Sequence, residues 1–394
     1  MKEAYVLAND VTTTHLHDWA KAHAEDMVAD VAMLVGHETP SRDLDLLDTA
    51  AGAITAWMRE RLGEPDRLVR HKLAGHGDAI DVTYGDPDTA GVLLVGHYDT
   101  VWPAGTLAEW PFTIRDDGTA TGPGAYDMKA GLVTAVWALR ALREAGADHP
   151  PVRFIFNGDE EIGSPVSRPI IEKAAATALS TLVLEPGVGW DVKTERKGVG
   201  AFTVNVSGIE SHAGNDPLGG SSAIHAMAEL IPELVAAQDH AAGTTINVGV
   251  IGGGTTRNVV AGAAHCVADV RASTTAEADR VAELFASLEA SDPRIEVEVT
   301  GGWNRPPMQF TSVSRPLWEM AHDVSAELRE PLEGISVGGG SDANFIAALG
   351  LPVLDGLGAS GGGPHARHEH IVLADVPDRA ALVAGILQRH LPQD

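Results

Sequence analysis

The amino-acid sequence predicts an α/β protein: a mostly parallel sheet flanked by helices, interrupted once by a smaller βαββαβ insertion. Three observations predict it. Short apolar runs alternate with helical patterns through the first half of the chain. Histidines and acidic residues cluster just beyond the ends of those runs, where open α/β sheets place their ligands. Past residue 198 the pattern becomes a strict alternation of apolar and polar residues, the period of half-exposed strands.

Taken in order, residues 14–63 read as helices with a break at Thr39-Pro40-Ser41. An apolar strand at 91–96 runs into His97 and Asp99. A glycine-rich loop at 122–124 leads to Asp127 and a helix over 129–145. A strand at 152–157 ends in Asp159-Glu160-Glu161 ahead of a helix, and a third strand at 181–184 ends in Glu185. Then Phe202, Val204 and Val206 alternate with Thr203, Asn205 and Ser207. A helix over 221–238, strands near 244–251 and 265–270, a helix over 276–290 and a strand at 295–300 come next. That order, βαββαβ, describes a compact ferredoxin-like unit. After Arg305-Pro306-Pro307 the α/β pattern returns, with helices near 313–327 and 343–349 and a closing helix over 378–390. The expectation is a larger domain of residues 1–197 and 306–394, with a small domain of 198–305 inserted into it.

A chain of 394 residues exceeds the usual size of one core, which fits two domains. Its 55 acidic residues against 28 basic ones give a formal charge of -27, which argues against nucleic-acid or anionic-membrane partners. The single cysteine, Cys266, excludes an intramolecular disulfide, fits a reducing compartment and reads as a small buried hydrophobe. The start, Met1-Lys2-Glu3, lacks the apolar stretch of a secretory signal, and no run approaches the ~18 apolar residues of a membrane span. A soluble cytoplasmic protein is expected.

Five side chains are candidates to hold metal: His97, Asp127, Glu161, Glu185 and His365. A two-metal site needs nitrogen and oxygen ligands converging from several strands, with one carboxylate bridging ions ~3.5–4 Å apart. Singly each is weak, since acidic pairs are usually solvated and His15, His17, His71, His240 and His390 read as ordinary surface or core residues. The joint pattern carries the weight. Polar groups end three successive apolar strands, and another sits in a glycine-rich loop near the C-terminus.

Eight segments then resemble, in order, the motifs of one family. They are His97-Tyr98-Asp99-Thr100-Val101, the stretch from Gly122 to Lys129, Asn157-Gly158-Asp159-Glu160-Glu161-Ile162-Gly163 and Leu184-Glu185-Pro186, then Ser211-His212-Ala213-Gly214, Arg257-Asn258-Val259-Val260, Gly338-Gly339-Gly340-Ser341-Asp342 and Gly361-Gly362-Gly363-Pro364-His365. The family is that of the di-zinc exopeptidases, which includes the aminoacylases, succinyl-diaminopimelate desuccinylase and bacterial glutamate carboxypeptidase. The resemblance covers roughly residues 90–370 and implies the zinc exopeptidase fold.

It also implies roles. Asp127 would bridge two zinc ions per subunit, with His97 and Glu185 completing one position and Glu161 and His365 the other. Cobalt and manganese accept the same ligands. Asp99 would accept the second imidazole N–H of His97 and fix its tautomer, and Glu160 would be the general base. The peptide bond after Asp127 would be cis. His212 would reach across a homodimer interface, formed through the inserted domain by edge strands or helices, to stabilise the oxyanion with Asn258. One departure is Ala261, where the family often has proline. Arg305 resembles the family's carboxylate-binding arginine, and Arg271 and Lys193 match cationic positions of the glutamate carboxypeptidase branch. Their bland readings are surface ion pairing for Arg271 and a drifting alignment for Lys193.

Glutamate rather than aspartate at 185 resembles the acylases and glutamate carboxypeptidases, and the stretch from Asp355 resembles the latter most. The implied activity is cleavage of an amide or peptide bond beside a free carboxylate, releasing a C-terminal amino acid such as glutamate or aspartate from a peptide or N-acyl conjugate. The alternatives are a deacylase of other specificity and a non-catalytic metal-binding protein; retention of Glu160 and all five ligand candidates weighs against the last.

Overall fold

The computed structural model describes residues 11–391. The Met1-Lys2-Glu3 start lies outside the described residues. The chain divides into two compact units. One comprises the residues up to Thr194, Phe310–Ile335 and those from Ser341 onward; the other comprises Glu195–Gln309 and Ser336–Gly340. The short Ser336–Gly340 segment has no place in the 198–305 reading, because its glycine-rich sequence carries no apolar period.

Among the described residues, the first unit is built on a six-stranded sheet ordered Arg67–His71, Gly77–Tyr84, Val152–Gly158, Val92–His97, Ser180–Val183, Val353–Leu354. The first two pairings are antiparallel and the remaining three parallel, so the mixed α/β class with a mostly parallel sheet is observed. Leu93, Leu94, Val95, Phe154, Ile155 and Phe156 are fully buried, as expected of strands covered on both faces. The antiparallel pair at 67–84 escapes the sequence pattern for a physical reason. Its inner strand buries Asp78 and Asp81 among the apolar residues. Asp81 is kept charged there by Arg153, whose Nε and Nη2 donate to it at 2.8 and 2.7 Å.

Helices Leu44–Leu62, Ala130–Ala145 and Asp375–Arg389 supply much of the covering core. Asp43 caps the first of these by accepting the N–H of Leu46 at 3.2 Å, which sets its start after the predicted break. Ala130–Ala145 is rich in small residues and lies close to the sheet: a Cβ at Gly131 would stand 2.2 Å from the carbonyl oxygen of Leu184. Trp137 on this helix is fully buried and donates its indole N–H to Asp30 at 2.8 Å. A second sheet of short antiparallel strands, Thr113–Ile114, Thr119–Thr121, His370–Val372 and Gly361–Gly362, flanks the loop that contains His365. Strands of two or three residues are too short to show a period. No helix among the described residues is long and apolar enough to cross a membrane.

The second unit runs Gly198–Ser207, Ala223–Ala236, Thr245–Gly253, Ala263–Ala272, Thr275–Ala286, Glu296–Arg305, which is strand-helix-strand-strand-helix-strand. Its strands form one antiparallel sheet in the order second, third, first, fourth, the ferredoxin-like arrangement. One face alternates inward through Phe202, Val204, Val206, Cys266, Ala268 and Val270, packed on Met227, Leu230, Val281 and Phe285. Cys266 is buried there.

The contact at Gly131 is directly testable. Gly131→Ala forces a Cβ against a main-chain oxygen and is expected to lower the unfolding free energy by roughly 1–3 kcal/mol in chemical denaturation. A variant as stable as the parent would contradict that close approach.

Candidate metal centre

Three parallel strands and two loops of the first unit deliver the cluster. Val92–His97 ends on His97, a single helical turn over Glu160–Ile162 comes after Val152–Gly158, and Glu185 lies just past Ser180–Val183. Asp127 comes from the loop entering helix Ala130–Ala145, and its peptide bond to Met128 is cis, as the resemblance implies. His365 adopts a left-handed backbone conformation at φ 59°, a conformation that costs a non-glycine residue about 1–2 kcal/mol.

The oxygens of Asp127 point two ways. Oδ1 lies 3.2 Å from Nε2 of His97, and Oδ2 lies 3.5 Å from Nε2 of His365. Glu185 Oε1 is 3.6 Å from the same His97 nitrogen, and Glu161 Oε2 is 3.1 Å from the same His365 nitrogen. Each imidazole thus faces Asp127 and one further carboxylate. The ligand atoms of His97, Asp127 and Glu161 fall within 4.8 Å of one another, as do those of His97, Glu160 and Glu185.

The orientation of His97 fixes what its second nitrogen offers. Nδ1 lies 3.0 Å from the main-chain oxygen of Asp99, which can only accept, so Nδ1 carries a proton and Nε2 is the nitrogen turned toward the cluster. Asp99 offers this Nδ1 its side chain as well. The Asp99 carboxylate is farther from Nδ1, at 3.4 Å. It also accepts the N–H groups of Glu160 and Glu161, each at 3.2 Å, and the Ser41 hydroxyl at 2.7 Å. Asp99 is therefore a brace for the turn that carries both glutamates, and its carbonyl sets the tautomer.

These residues fit a metal. Nε2 of His97 and Oδ1 of Asp127 are both buried and neither has a hydrogen-bond partner. With the ring neutral, as a metal ligand must be, the two atoms present lone pairs 3.2 Å apart, which repel unless a cation lies between them. Ligands ~2.0–2.2 Å from one tetrahedral zinc stand roughly 3.3 Å from each other, the spacing seen here. The protein groups also show how much negative charge is gathered. Asp127 and Glu161 push the His365 ring up to about 10. Burial opposes a charged His97, yet Asp127, Asp99 and Glu185 outweigh it and raise its pKa well above the ordinary value. Burial raises Glu161. His365 remains 54% exposed, so the cluster is open on its side.

Glu369 went unrecognised in the sequence. It is fully buried and accepts main-chain N–H groups from Gly124, Tyr126 and Asp127. Burial pushes its carboxyl up to about 7 against those bonds. A glutamate in the polar run Ala366-Arg367-His368-Glu369-His370 carries no local signal that separates it from a solvated one. Lys193, in the same unit, is buried and joined through its main chain to Asp355, whose carbonyl accepts its N–H at 2.8 Å.

The remaining candidates lie in the second unit. His212 Nδ1 accepts the N–H groups of Gly214 and Asn215 at 3.1 and 3.0 Å, so its proton is on Nε2 and available to donate. Asn258 is adjacent, its carbonyl accepting the N–H of Ala213 at 3.0 Å. Arg305 is buried at the end of strand Glu296–Arg305, against Gly340, where a Cβ would meet its Cδ at 2.7 Å. Arg271 forms a two-point ion pair with Asp269 at 2.8 and 2.9 Å, the surface pairing that its position at a strand end suggested.

Imidazoles and carboxylates gathered at the C-terminal ends of parallel strands, on a mixed α/β scaffold, define a metal-dependent hydrolase. Residues 93–389 match Peptidase family M20/M25/M40, and the chain belongs to that family. It is 30% identical to carboxypeptidase G2 of Pseudomonas sp. (strain RS-16) over 364 residues, covering 90% of this chain and 86% of that protein. Its fold is similar to aminopeptidase PepT from Bacillus cereus ATCC 10987, with a TM-score of 0.76, 23% identity, and coverage of 93% of this chain and 98% of the other. It is also similar to the Bacillus subtilis YXEP protein, described as a dinuclear metal binding peptidase, with a TM-score of 0.67, 15% identity, and coverage of 94% and 99%.

Because one carboxylate faces both imidazoles, Asp127→Asn is expected to deplete metal at both positions, whereas His365→Ala depletes one. Elemental analysis of the purified variants per chain checks this. Equal losses from the two substitutions would contradict the shared role of Asp127.

Proposed function

We propose that this chain is a two-zinc hydrolase that cleaves an amide or peptide bond beside a free carboxylate and releases a C-terminal amino acid. The observation that carries the reading is the division of the Asp127 oxygens between the pair His97 with Glu185 and the pair His365 with Glu161. Similarity to carboxypeptidase G2 supports release of a C-terminal residue, which we read as glutamate or aspartate leaving a peptide or N-acyl conjugate.

His97, Asp127 and Glu185 would hold one ion, and Glu161, Asp127 and His365 the other. Zinc there supplies a Lewis acid that polarises the scissile carbonyl and brings the pKa of water toward ~7. Glu160 acts as general base. Its Oε2 lies 4.0 Å from Nε2 of His97, so it is inside the cluster, and its main chain is held by Asp99. It takes a proton from the attacking water and returns it to the leaving nitrogen. Arg305 binds the substrate carboxylate with a planar two-point contact. Lys193 assists that charge. Arg271, already matched by Asp269, contributes less.

His212 donates its Nε2–H to the developing oxyanion, with Asn258 beside it, across a homodimer interface formed by the second unit. Strand Thr245–Gly253 is at an edge of its sheet with Val250 and Ile251 exposed, which supports pairing of two copies there.

Glu160→Ala is expected to keep its metal and lose about 10²–10⁴-fold in kcat. Near-normal turnover in that variant would rule out the general base. Arg305→Ala is expected to raise KM for N-acyl amino acids while leaving their C-terminal amides, poor substrates at the outset, unaffected. A panel varying the acyl group and the C-terminal residue independently, with metal content measured alongside, separates a carboxypeptidase from a deacylase that reads the acyl side.

A further inference from the structure

The carboxylate of Glu369 is used completely. Oε1 accepts the N–H groups of Tyr126 at 2.9 Å and Asp127 at 3.1 Å. Oε2 accepts the N–H of Gly124 at 3.2 Å and the indole N–H of Trp102 at 3.1 Å. The carbonyl of the same residue accepts the Thr121 hydroxyl at 2.6 Å, and the strand that begins at His370 pairs with Thr119–Thr121. Glu369 lies four residues past His365, Trp102 lies three past Asp99, and Asp127 is one of the three main-chain donors. Three segments that present cluster residues therefore meet on one buried side chain.

The local backbone explains why a carboxylate is needed. Residues 124–127 turn sharply from the left-handed Gly124 into the Asp127-Met128 bond, and their N–H groups point inward rather than along a regular helix or strand. A buried N–H without a partner costs about 1–3 kcal/mol. One acceptor reaching three of them sets the direction of this loop, and with it the direction of the Asp127 side chain. A glutamine could reproduce the Oε1 contacts only. Its amide NH2 would then face two donors, Gly124 and Trp102, with a third.

We propose that Glu369 is a positioning residue that locks the loop carrying Asp127 to the loop carrying His365, so that Asp127 meets its metal in a preset orientation. The proposal rests on the reading of Asp127 and His365 as ligands. It predicts that the geometry and affinity of the metal centre, and not merely the stability of the fold, depend on this carboxylate.

The test compares Glu369→Gln, the double variant Glu369→Gln with Trp102→Phe, and Asp127→Asn, each as the full chain stripped by a chelator and titrated with Co2+. Cobalt affinity, the visible absorption band of the bound ion and the melting temperature of the metal-free protein are read for each. Glu369→Gln is expected to weaken cobalt binding about tenfold or more and to shift the band. The double variant recovers part of that loss, because one of the two donors facing the new amide is gone. If Glu369→Gln lowers only the metal-free melting temperature, with parental affinity and band, the residue is structural and the proposal is overturned. Should Glu369→Gln fail to fold, Glu369→Asp keeps the charge on a shorter arm that cannot reach both sets of donors, and it carries the same two outcomes. The Asp127→Asn arm separates the two levels. Undiminished cobalt binding there overturns the ligand reading itself, whereas its loss beside parental binding in Glu369→Gln overturns only the role of Glu369.

Discussion

Everything at this centre depends on concentrating negative charge at the ends of parallel strands and keeping it there. Asp127, Glu160, Glu161 and Glu185 gather around two imidazoles whose Nε2 atoms face carboxylate oxygens at 3.1–3.6 Å. Left to themselves such groups would repel or take up protons, as the raised His365 and His97 rings indicate. A cation is the natural resolution. Because Nδ1 of His97 donates to the Asp99 carbonyl, Nε2 is the nitrogen left to meet that cation once its ring is neutral.

The scaffold holds these charges with main-chain N–H groups. Asp99 takes up the N–H groups of Glu160 and Glu161, and Glu369 those of Gly124, Tyr126 and Asp127. In both places a buried carboxylate organises a segment that regular hydrogen bonding does not. The close packing of helix Ala130–Ala145 through Gly131 onto Leu184 works in the same direction, since Leu184 immediately precedes Glu185. Rigid backbone behind each donor atom is what keeps a ligand set in register with small ions of strict geometry.

Much of the fold and of the centre is legible in the sequence. The parallel strands show as apolar runs, and the cluster residues show as the polar groups that close those runs, because a sheet covered on both faces leaves few polar positions except at its ends. The second unit is legible through the alternation of Phe202, Val204 and Val206. Elements that compensate charge by long-range contacts are not. Gly77–Tyr84 buries Asp81 on the strength of Arg153, 72 residues away, and buried Glu369 finds its donors in a loop some 242 residues earlier. The further partners of the Asp99 carboxylate, Ser41 and the N–H groups of Glu160 and Glu161, are likewise hidden, since motif spacing places a residue near a site without naming all that it touches.

The central claim is that two metal ions share Asp127, and anomalous scattering from crystals of the zinc-loaded protein, collected on both sides of the zinc edge, tests it most directly. Two peaks are predicted, one among His97, Asp127 and Glu185 and the other among Glu161, Asp127 and His365. A single peak at full zinc loading, or two peaks of which one lies away from Asp127, would contradict the account.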